Sequence, residues 1–198
     1  MRIGIFGGTF NPVHMGHLEL ANEFVSLAKL DELLLIPTKI PPHKSNDGVA
    51  QEHHRMNMCS LAAKYIDRVT VSDIELKREG RSYTVETLRE LRGIYPEGEF
   101  YLVVGADMFV CFDEWREWRT ILHECVICTA ARNGDSVKVI EETAKKFGIT
   151  DEKLVVTTRK IMTVSSTEIR EKIKCGESVK GLVPDEVIQY IEENNLYR

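Results

Sequence analysis

The chain has 198 residues, of which 43% are hydrophobic and 29% charged, and its formal net charge is −5 at pH 7. These values are typical of a globular protein with one sizeable core, and they exclude a disordered chain. The acidic balance argues against binding to a nucleic-acid strand, because such binding needs a broad basic face. We therefore expect the partner to be a small molecule.

The N-terminus and the cysteines bear on the cellular compartment. The chain begins without the long apolar stretch of an export signal, and no window reaches the length of a membrane span. Five cysteines stand without a framework spacing, which favours a cytoplasmic protein with no membrane contact. Cys125 and Cys128 form a CxxC motif in a predicted strand, where residues three apart point to opposite faces. We expect two buried hydrophobic side chains there rather than a metal or redox pair.

Short β-rich runs alternate with amphipathic helical runs along the chain. The strands are predicted at 2–6, 32–37, 68–74, 99–105, 125–130 and 153–158. A first helix carries Leu20, Phe24, Leu27 and Ala28 on one apolar face, and further helices are predicted at 52–66, 85–95, 137–147, 167–174 and 185–194. The alternation predicts an α/β fold with a Rossmann-like, doubly wound parallel sheet. We expect one domain over 1–198, with a small C-terminal helical part at about 165–198.

One long irregular stretch, "PTKIPPHKSNDG" at 37–48, interrupts this alternation. It is rich in proline and turn-forming residues. Loops of this length inside compact domains are usually functional, so we expect it to border a binding site.

The first strand leads into the glycines Gly7 and Gly8, at the first strand-to-helix turn. In an open parallel sheet this turn is the favoured place for a phosphate, because glycines let an anion approach backbone N–H groups. The chain lacks the dinucleotide pattern GxGxxG, an acidic residue after the second strand and the Walker pattern GxxxxGK[ST]. A nicotinamide-dependent oxidoreductase is therefore not indicated.

Two histidines, His14 and His17, follow the glycine turn. At the start of the first helix they would share one face near its positive end. One of them could instead cap the helix or pack against it, and the pair could bind zinc, although zinc ligands on a helix usually stand at i and i+4 with a third ligand. We favour contact between imidazole N–H groups and phosphate.

The opening run "GIFGGTFNPVHMGH" resembles the (H/T)xGH signature of the nucleotidyltransferase superfamily, and "VSSTEIR" at 164–170 resembles its second signature. Between and after them stand "IPPHK", "HR" at 54 and 55, "REGRSYTVETL", "VVGADM", "EW" and "LVPDEVIQYIEENNLY". Together these runs are similar, over nearly the whole chain, to the bacterial nicotinate-nucleotide adenylyltransferase family.

The resemblance implies transfer of the adenylyl group of ATP to nicotinate mononucleotide, giving deamido-NAD and diphosphate, with Mg²⁺ as cofactor. The attacking group would be the 5′-phosphate of the mononucleotide, which is already an anion at pH 7, so no general base is needed. Orientation and charge stabilisation suffice for such a reaction. The Mg²⁺ would be held mainly by phosphates and water, with no protein ligand assigned.

The resemblance also implies roles for residues at matching positions. The catalytic set is His14, His17, Ser166, Thr167 and Arg170. The ATP-binding set is Gly7, Gly8, Thr9, Phe10, Gly105 and Asp107. The acceptor-binding set is Lys44, Thr84, Trp115, Arg116 and Arg132, with the pyridine ring against Trp115 and its carboxylate at Thr84 and the backbone N–H of Arg116.

Some alternatives stay open at this stage. Ser165 and Glu168 have the spacing of a plain capping box, which can coexist with anion binding. The acceptor could be nicotinamide mononucleotide or another phosphorylated molecule, and a regulator could bind the nucleotide without turnover. Relatives often have Asp where Asn11 stands, and Tyr where Arg116 stands. The sequence leaves the oligomeric state open.

Overall fold

The structure, a computed structural model, describes residues 1–40, 48–131 and 134–198. Within them six parallel strands form one sheet in the order β3-β2-β1-β4-β5-β6. The strands are β1 Arg2–Gly8, β2 Glu32–Pro37, β3 Val69–Val71, β4 Glu99–Val103, β5 Cys125–Ala130 and β6 Leu154–Thr157. This is the predicted Rossmann-like order, in which the chain builds outward in both directions from β1 and β4.

The described part of the chain also contains nine α-helices. They are α1 Met15–Leu27, α2 Glu52–Ala63, α3 Ile74–Lys77, α4 Thr84–Ile94, α5 Ala106–Val110, α6 Trp118–Glu124, α7 Gly134–Phe147, α8 Ser166–Lys174 and α9 Asp185–Glu193. Short 3₁₀ turns precede α6 and β6. None of these helices is both long and apolar enough to cross a bilayer.

Helices cover both faces of the sheet because its strands are apolar on both sides. In β2, Leu33 and Leu35 face a core shared with α1, α2, α8 and α9, while Leu34 and Ile36 face a second core shared with α3 to α7. The C-terminal helices thus pack on the same core as the first helix. We propose that they belong to a single domain, with residues 165–198 as its C-terminal helical part.

The CxxC motif behaves as predicted. Cys128 lies in the core beside α1, and Cys125 lies in the core on the other side of the sheet. Burial raises the pKa of both thiols, that of Cys128 to about 12, so neither is a thiolate at neutral pH.

The local predictions were wrong at three places. The strand predicted at 68–74 ends at Val71, because the hydroxyl of Ser72 accepts the Ile74 N–H at 3.4 Å and the chain turns into α3. Helices α3, α5 and α6 were not predicted, since they have 4, 5 and 7 residues and are too short to show a helical period. Leu27, placed on the buried face of α1, is 47% exposed at the end of the helix.

The strand order reverses between β1 and β4, and folds of this kind bind ligands beyond the carboxyl ends of the two strands at that point. Strand β1 leads to Gly8 and Thr9, and β4 leads to Gly105 at the start of α5. These two strands are paired, with Ile5 opposite Leu102. The predicted glycines of the nucleotide site therefore meet at the favoured ligand position of this fold.

Close packing at Gly16 explains why a glycine separates the two histidines. This residue is buried in the first turn of α1, where a Cβ atom would come within 2.7 Å of the carbonyl oxygen of Met162. The next turn of α1 holds the same segment, since Oε2 of Glu19 accepts the Met162 N–H at 2.7 Å. The segment that leads into α8 is thereby docked beside the histidines.

We predict that Gly16→Ala lowers the free energy of unfolding by about 1–3 kcal/mol, because the carbonyl of Met162 must move away from the new methyl group. Gly93→Ala is the matched control. It lies in α4 with open space around its Cα, so it should raise stability by about 0.5–1 kcal/mol. Urea unfolding of both variants measures this, and equal stability of Gly16→Ala and the wild type would contradict the close approach.

Candidate functional site

The turn between β1 and α1 has its carbonyl oxygens bound by donors from elsewhere in the chain. The Gly8 carbonyl accepts the Thr38 N–H at 2.9 Å. The carbonyls of Thr9, Asn11 and Pro12 each accept a side-chain donor at 2.9 Å. Those donors are Arg55, Arg170 and Ser166, in that order. Four oxygens that would repel an anion are therefore occupied, as an anion site requires.

Phe10 shapes the same turn from inside the protein. Its backbone has a φ of 46° and its ring is 2% exposed. A Cβ on Gly8 would lie 3.0 Å from that ring, so the second glycine provides room for the aromatic side chain. Among the predicted ATP residues, Phe10 thus acts mainly in packing the turn.

The imidazole rings of His14 and His17 stack, with centroids 3.6 Å apart and planes 23° from parallel. The backbone N–H of His14 donates to Nδ1 of His17 at 3.2 Å. A neutral His17 ring therefore carries its proton on Nε2, as a hydrogen-bond donor. The edges of Phe6 and Phe10 hold this ring in place, at centroid distances of 5.9 and 5.0 Å.

His14 stands just before α1 and is 6% exposed. Burial lowers the pKa of its ring from 6.5 to about 4, so His14 is neutral at physiological pH. Its Nδ1 atom is buried and has no hydrogen-bond partner among the residues described. A buried polar atom without a partner at this position is suited to a ligand or a bound water.

The start of α1 is less open to an anion than the sequence suggested. The first helical N–H, that of Met15, donates to the carbonyl of Leu182 at 2.8 Å. The N–H of His17 donates to the carbonyl of His14 at 2.9 Å. Since these two N–H groups are used within the protein, the histidine side chains are the better candidates for contact with a phosphate.

Helix α8 brings the second signature against the first. The hydroxyl of Ser165 caps this helix by accepting the Glu168 N–H at 3.1 Å, as the capping alternative predicts. Arg170 also donates to the hydroxyl of Thr167, at 3.3 Å. Through Ser166 and Arg170, α8 is bonded directly to the turn that precedes His14. The catalytic set of the sequence analysis is thus assembled at one place.

The segment that follows β2 connects the turn after β1 with the residues of the predicted acceptor site. Two hydrogen bonds tie the residues after β2 to Ser82. The Ser82 N–H donates to the carbonyl of Ile40 and the Lys39 N–H donates to the Ser82 hydroxyl, each at 3.0 Å. Thr84 begins α4 two residues later. Gly105 precedes α5 and Asp107 lies in its first turn, both exposed at the end of β4.

Trp115 lies in the segment before α6. Its ring stacks on Phe112 at 4.7 Å, and its Nε1 is buried without a partner in the described part of the chain. The guanidinium of Arg116 lies over the Tyr83 ring at 4.9 Å and 3.6 Å from the Glu86 carboxylate. These contacts fasten the tryptophan segment to the start of α4, beside Thr84. The side chain of Arg116 is used in this fastening.

Lys44 and Arg132, the other two residues of the predicted acceptor set, lie outside the described residues. No group of three or more His, Cys, Asp or Glu side chains suited to a metal ion is found among the residues the structure covers.

Three residues of the site had no role in the sequence analysis. The amide of Asn11 donates to the Gly48 carbonyl and accepts from the Ala50 N–H, both at 3.0 Å, and it also accepts from the Tyr197 hydroxyl at 2.8 Å. A carboxylate could not make the first of these bonds. Tyr197 stands 186 residues away in sequence, so no local pattern could reveal this contact.

The third is Arg55, for which a signal was present in the sequence. Arg55, Met58, Cys59, Ala62 and Ala63 are the buried residues of α2, and they have the spacing of one helical face. An arginine in an apolar stripe of this kind predicts a buried guanidinium with specific partners.

Comparison with known proteins supports the interpretation of the two runs as nucleotidyltransferase signatures. The sequence profile of the cytidylyltransferase-like family matches residues 5–172. A protein of Carboxydothermus hydrogenoformans named "Probable nicotinate-nucleotide adenylyltransferase" is 40% identical over 100% of this chain and 98% of its own length. One of the same name from Geobacillus thermodenitrificans is 38% identical over 99% of this chain and 86% of its own.

Solved structures share the fold. The nicotinic acid mononucleotide adenylyltransferase of Plasmodium falciparum complexed with NaAD superposes with a TM-score of 0.81 and 22% identity, covering 99% of this chain and 97% of that one. The same enzyme complexed with APC superposes with a TM-score of 0.80. With both signatures in place and relatives of this identity over its full length, the chain belongs to the cytidylyltransferase-like nucleotidyltransferases, in the nicotinate-nucleotide adenylyltransferase family.

Proposed function

We propose that this protein transfers the adenylyl group of ATP to the 5′-phosphate of nicotinate mononucleotide, releasing diphosphate and forming deamido-NAD in cytoplasmic NAD biosynthesis. The observation that carries the proposal is the direct bonding of α8 to the turn before His14, through Ser166 and Arg170. One triphosphate placed at this turn has both signatures within reach.

The chemistry asks the protein for orientation rather than for proton transfer. The acceptor phosphate is an anion at neutral pH and attacks the α-phosphorus of ATP directly, while the bond to the β-phosphate oxygen breaks and diphosphate leaves. Negative charge grows on the bridging oxygen and on the α-phosphoryl oxygens. Fixed hydrogen-bond donors aimed at that charge lower the barrier.

The proposed donors are His14 and His17, with Ser166, Thr167 and Arg170 along the phosphate chain. His17 is our first choice at the α-phosphoryl group, because a neutral ring whose Nδ1 accepts a backbone N–H carries its proton on Nε2, as a donor. We assign Gly7, Gly8, Thr9, Gly105 and Asp107 to the adenosine and phosphate side, with Phe10 supporting the turn from inside the protein.

At the acceptor end we propose that the pyridine ring lies against Trp115 and that its carboxylate is bound by Thr84 and the backbone N–H of Arg116. Lys44 and Arg132 are proposed for the acceptor phosphate and a second anionic group. Among the residues described, the buried Nε1 of Trp115 has no hydrogen-bond partner, which supports a ligand contact at this position.

Mg²⁺ is proposed to enter as part of the MgATP substrate, held by phosphate oxygens and water.

The experiment that tests this function is diphosphate release from ATP with two matched acceptors. We predict turnover with nicotinate mononucleotide and a much lower kcat/KM with nicotinamide mononucleotide, because the amide lacks the charge that Thr84 and the Arg116 N–H would bind. Equal kcat/KM for the acid and the amide would contradict the acceptor assignment. Tight ATP binding without diphosphate release would instead favour a regulator.

For His17→Ala we predict a fall in kcat on the order of 10²–10³, the usual result of removing one transition-state donor, with little change in KM for the acceptor. His123→Ala is the matched control, since that side chain is 87% exposed and lies in α6. Near-normal kcat in His17→Ala would remove this residue from its role.

The neutral state of His14 predicts a dependence of stability on pH. Its pKa is about 4 when folded and 6.5 when free, so the unfolded chain takes up the proton first as the pH falls. Stability from this group is complete above pH 6.5 and is lost between pH 6.5 and 4, by up to about 3 kcal/mol.

The measurement is urea unfolding of the wild type and His14→Asn at several pH values. The difference between their unfolding free energies should shrink as the pH falls through this window. Two parallel curves would mean that His14 titrates normally.

A further inference from the structure

In the part of the chain that the structure describes, Arg55 is a buried cation without a carboxylate partner. It is 1% exposed and heads the largest fully buried side chains. Its Nε–H donates to the carbonyl of Ala50 at 3.1 Å and its Nη1–H to the carbonyl of Thr9 at 2.9 Å. Both partners are neutral. Across residues 1–40, 48–131 and 134–198, no carboxylate forms an ion pair with it within 4.0 Å.

The titratable groups nearest to Arg55 do not balance its charge. Burial raises the pKa of the Cys59 thiol and of the Tyr197 phenol, so both are neutral at pH 7. Glu52 lies one turn earlier in α2, within electrostatic range but beyond ion-pairing distance. Burial also lowers the pKa of Arg55 itself, as expected for a poorly compensated cation, although a guanidinium stays protonated in proteins.

Burying a charge without a partner is costly, and a neutral side chain could fill the same space at lower cost. The cost is understandable if an anion arrives later. Arg55 donates to the carbonyl of Thr9, and Thr9 belongs to the same turn as Gly8, Asn11 and Pro12.

We propose that Arg55 is a positioning residue of the nucleotide site, whose positive charge has no carboxylate partner among the described residues and is balanced when a polyphosphate binds at the turn. It acts through the Thr9 carbonyl and through its electric field, without touching the ligand. The inference rests on the proposed function in one respect, that the turn binds a polyphosphate.

The charge of the ligand separates this role from a purely structural one. A structural arginine holds the turn in shape, so its loss weakens adenosine, AMP and ATP alike. An electrostatic arginine favours each ligand in proportion to its negative charge, so its loss weakens ATP most, AMP less and adenosine least.

The experiment measures the Kd of these three ligands by calorimetry for the wild type, Arg55→Gln, Arg55→Lys and Lys64→Gln. We expect Arg55→Gln to weaken ATP by about tenfold or more, AMP by less and adenosine hardly at all. Arg55→Lys keeps the charge and should retain most of the ATP affinity. Lys64→Gln removes an exposed charge just beyond the other end of α2, about 13 Å along the helix axis, and should bind as the wild type does.

Equal weakening of adenosine and ATP in Arg55→Gln would overturn the inference, and so would unchanged ATP binding. If Arg55→Gln does not fold, Arg55→Lys decides: retained ATP affinity supports the charge role, and equal loss of ATP and adenosine overturns it. Binding needs no acceptor and no turnover, so a wild type that binds ATP without releasing diphosphate contradicts only the proposed function. If the wild type releases diphosphate and Arg55→Gln binds ATP as tightly as the wild type does, only this inference is contradicted.

Discussion

One constraint governs any turn that binds an anion, as we propose for the turn after β1: its own carbonyl oxygens must be held away from the anion. Here the carbonyls of Gly8, Thr9, Asn11 and Pro12 are all bound by donors within the protein. The donors come from the end of β2 and from α2 and α8, elements that are far apart in the chain. The two signatures are therefore parts of one hydrogen-bonded unit, and the docking of α8 follows from it.

The same unit fixes the positions of the two imidazole rings. His14 is buried and neutral, and its ring stacks on His17, whose Nδ1 is fixed by a backbone N–H. Both rings are therefore set in position before any ligand arrives. A reaction between two phosphate groups needs that kind of preorganised donor, because its nucleophile is already ionised. The proposed acceptor end is also held by contacts within the protein, since Arg116 fastens the Trp115 segment to α4.

Much of this could be read from the sequence, because it depends on short-range patterns. The apolar runs predicted the strands, and Gly7 and Gly8 marked the end of β1. The short helices α3, α5 and α6 and the early end of β3 were missed, since segments of 3 to 7 residues show no reliable period. Arg55 was missed for another reason: its burial could be predicted only by counting an arginine as part of the apolar face of a helix.

What the sequence by itself determined is the alternation of strands and helices, the parallel sheet and the two signatures, all of which are local in the chain. Only the tertiary structure decided that Tyr197 would bind Asn11, that Met162 would lie against Gly16 and that Arg170 would hold the Asn11 carbonyl. These contacts join residues more than 140 positions apart. Their partners are set by how whole elements pack on the sheet, which no window of neighbouring residues contains.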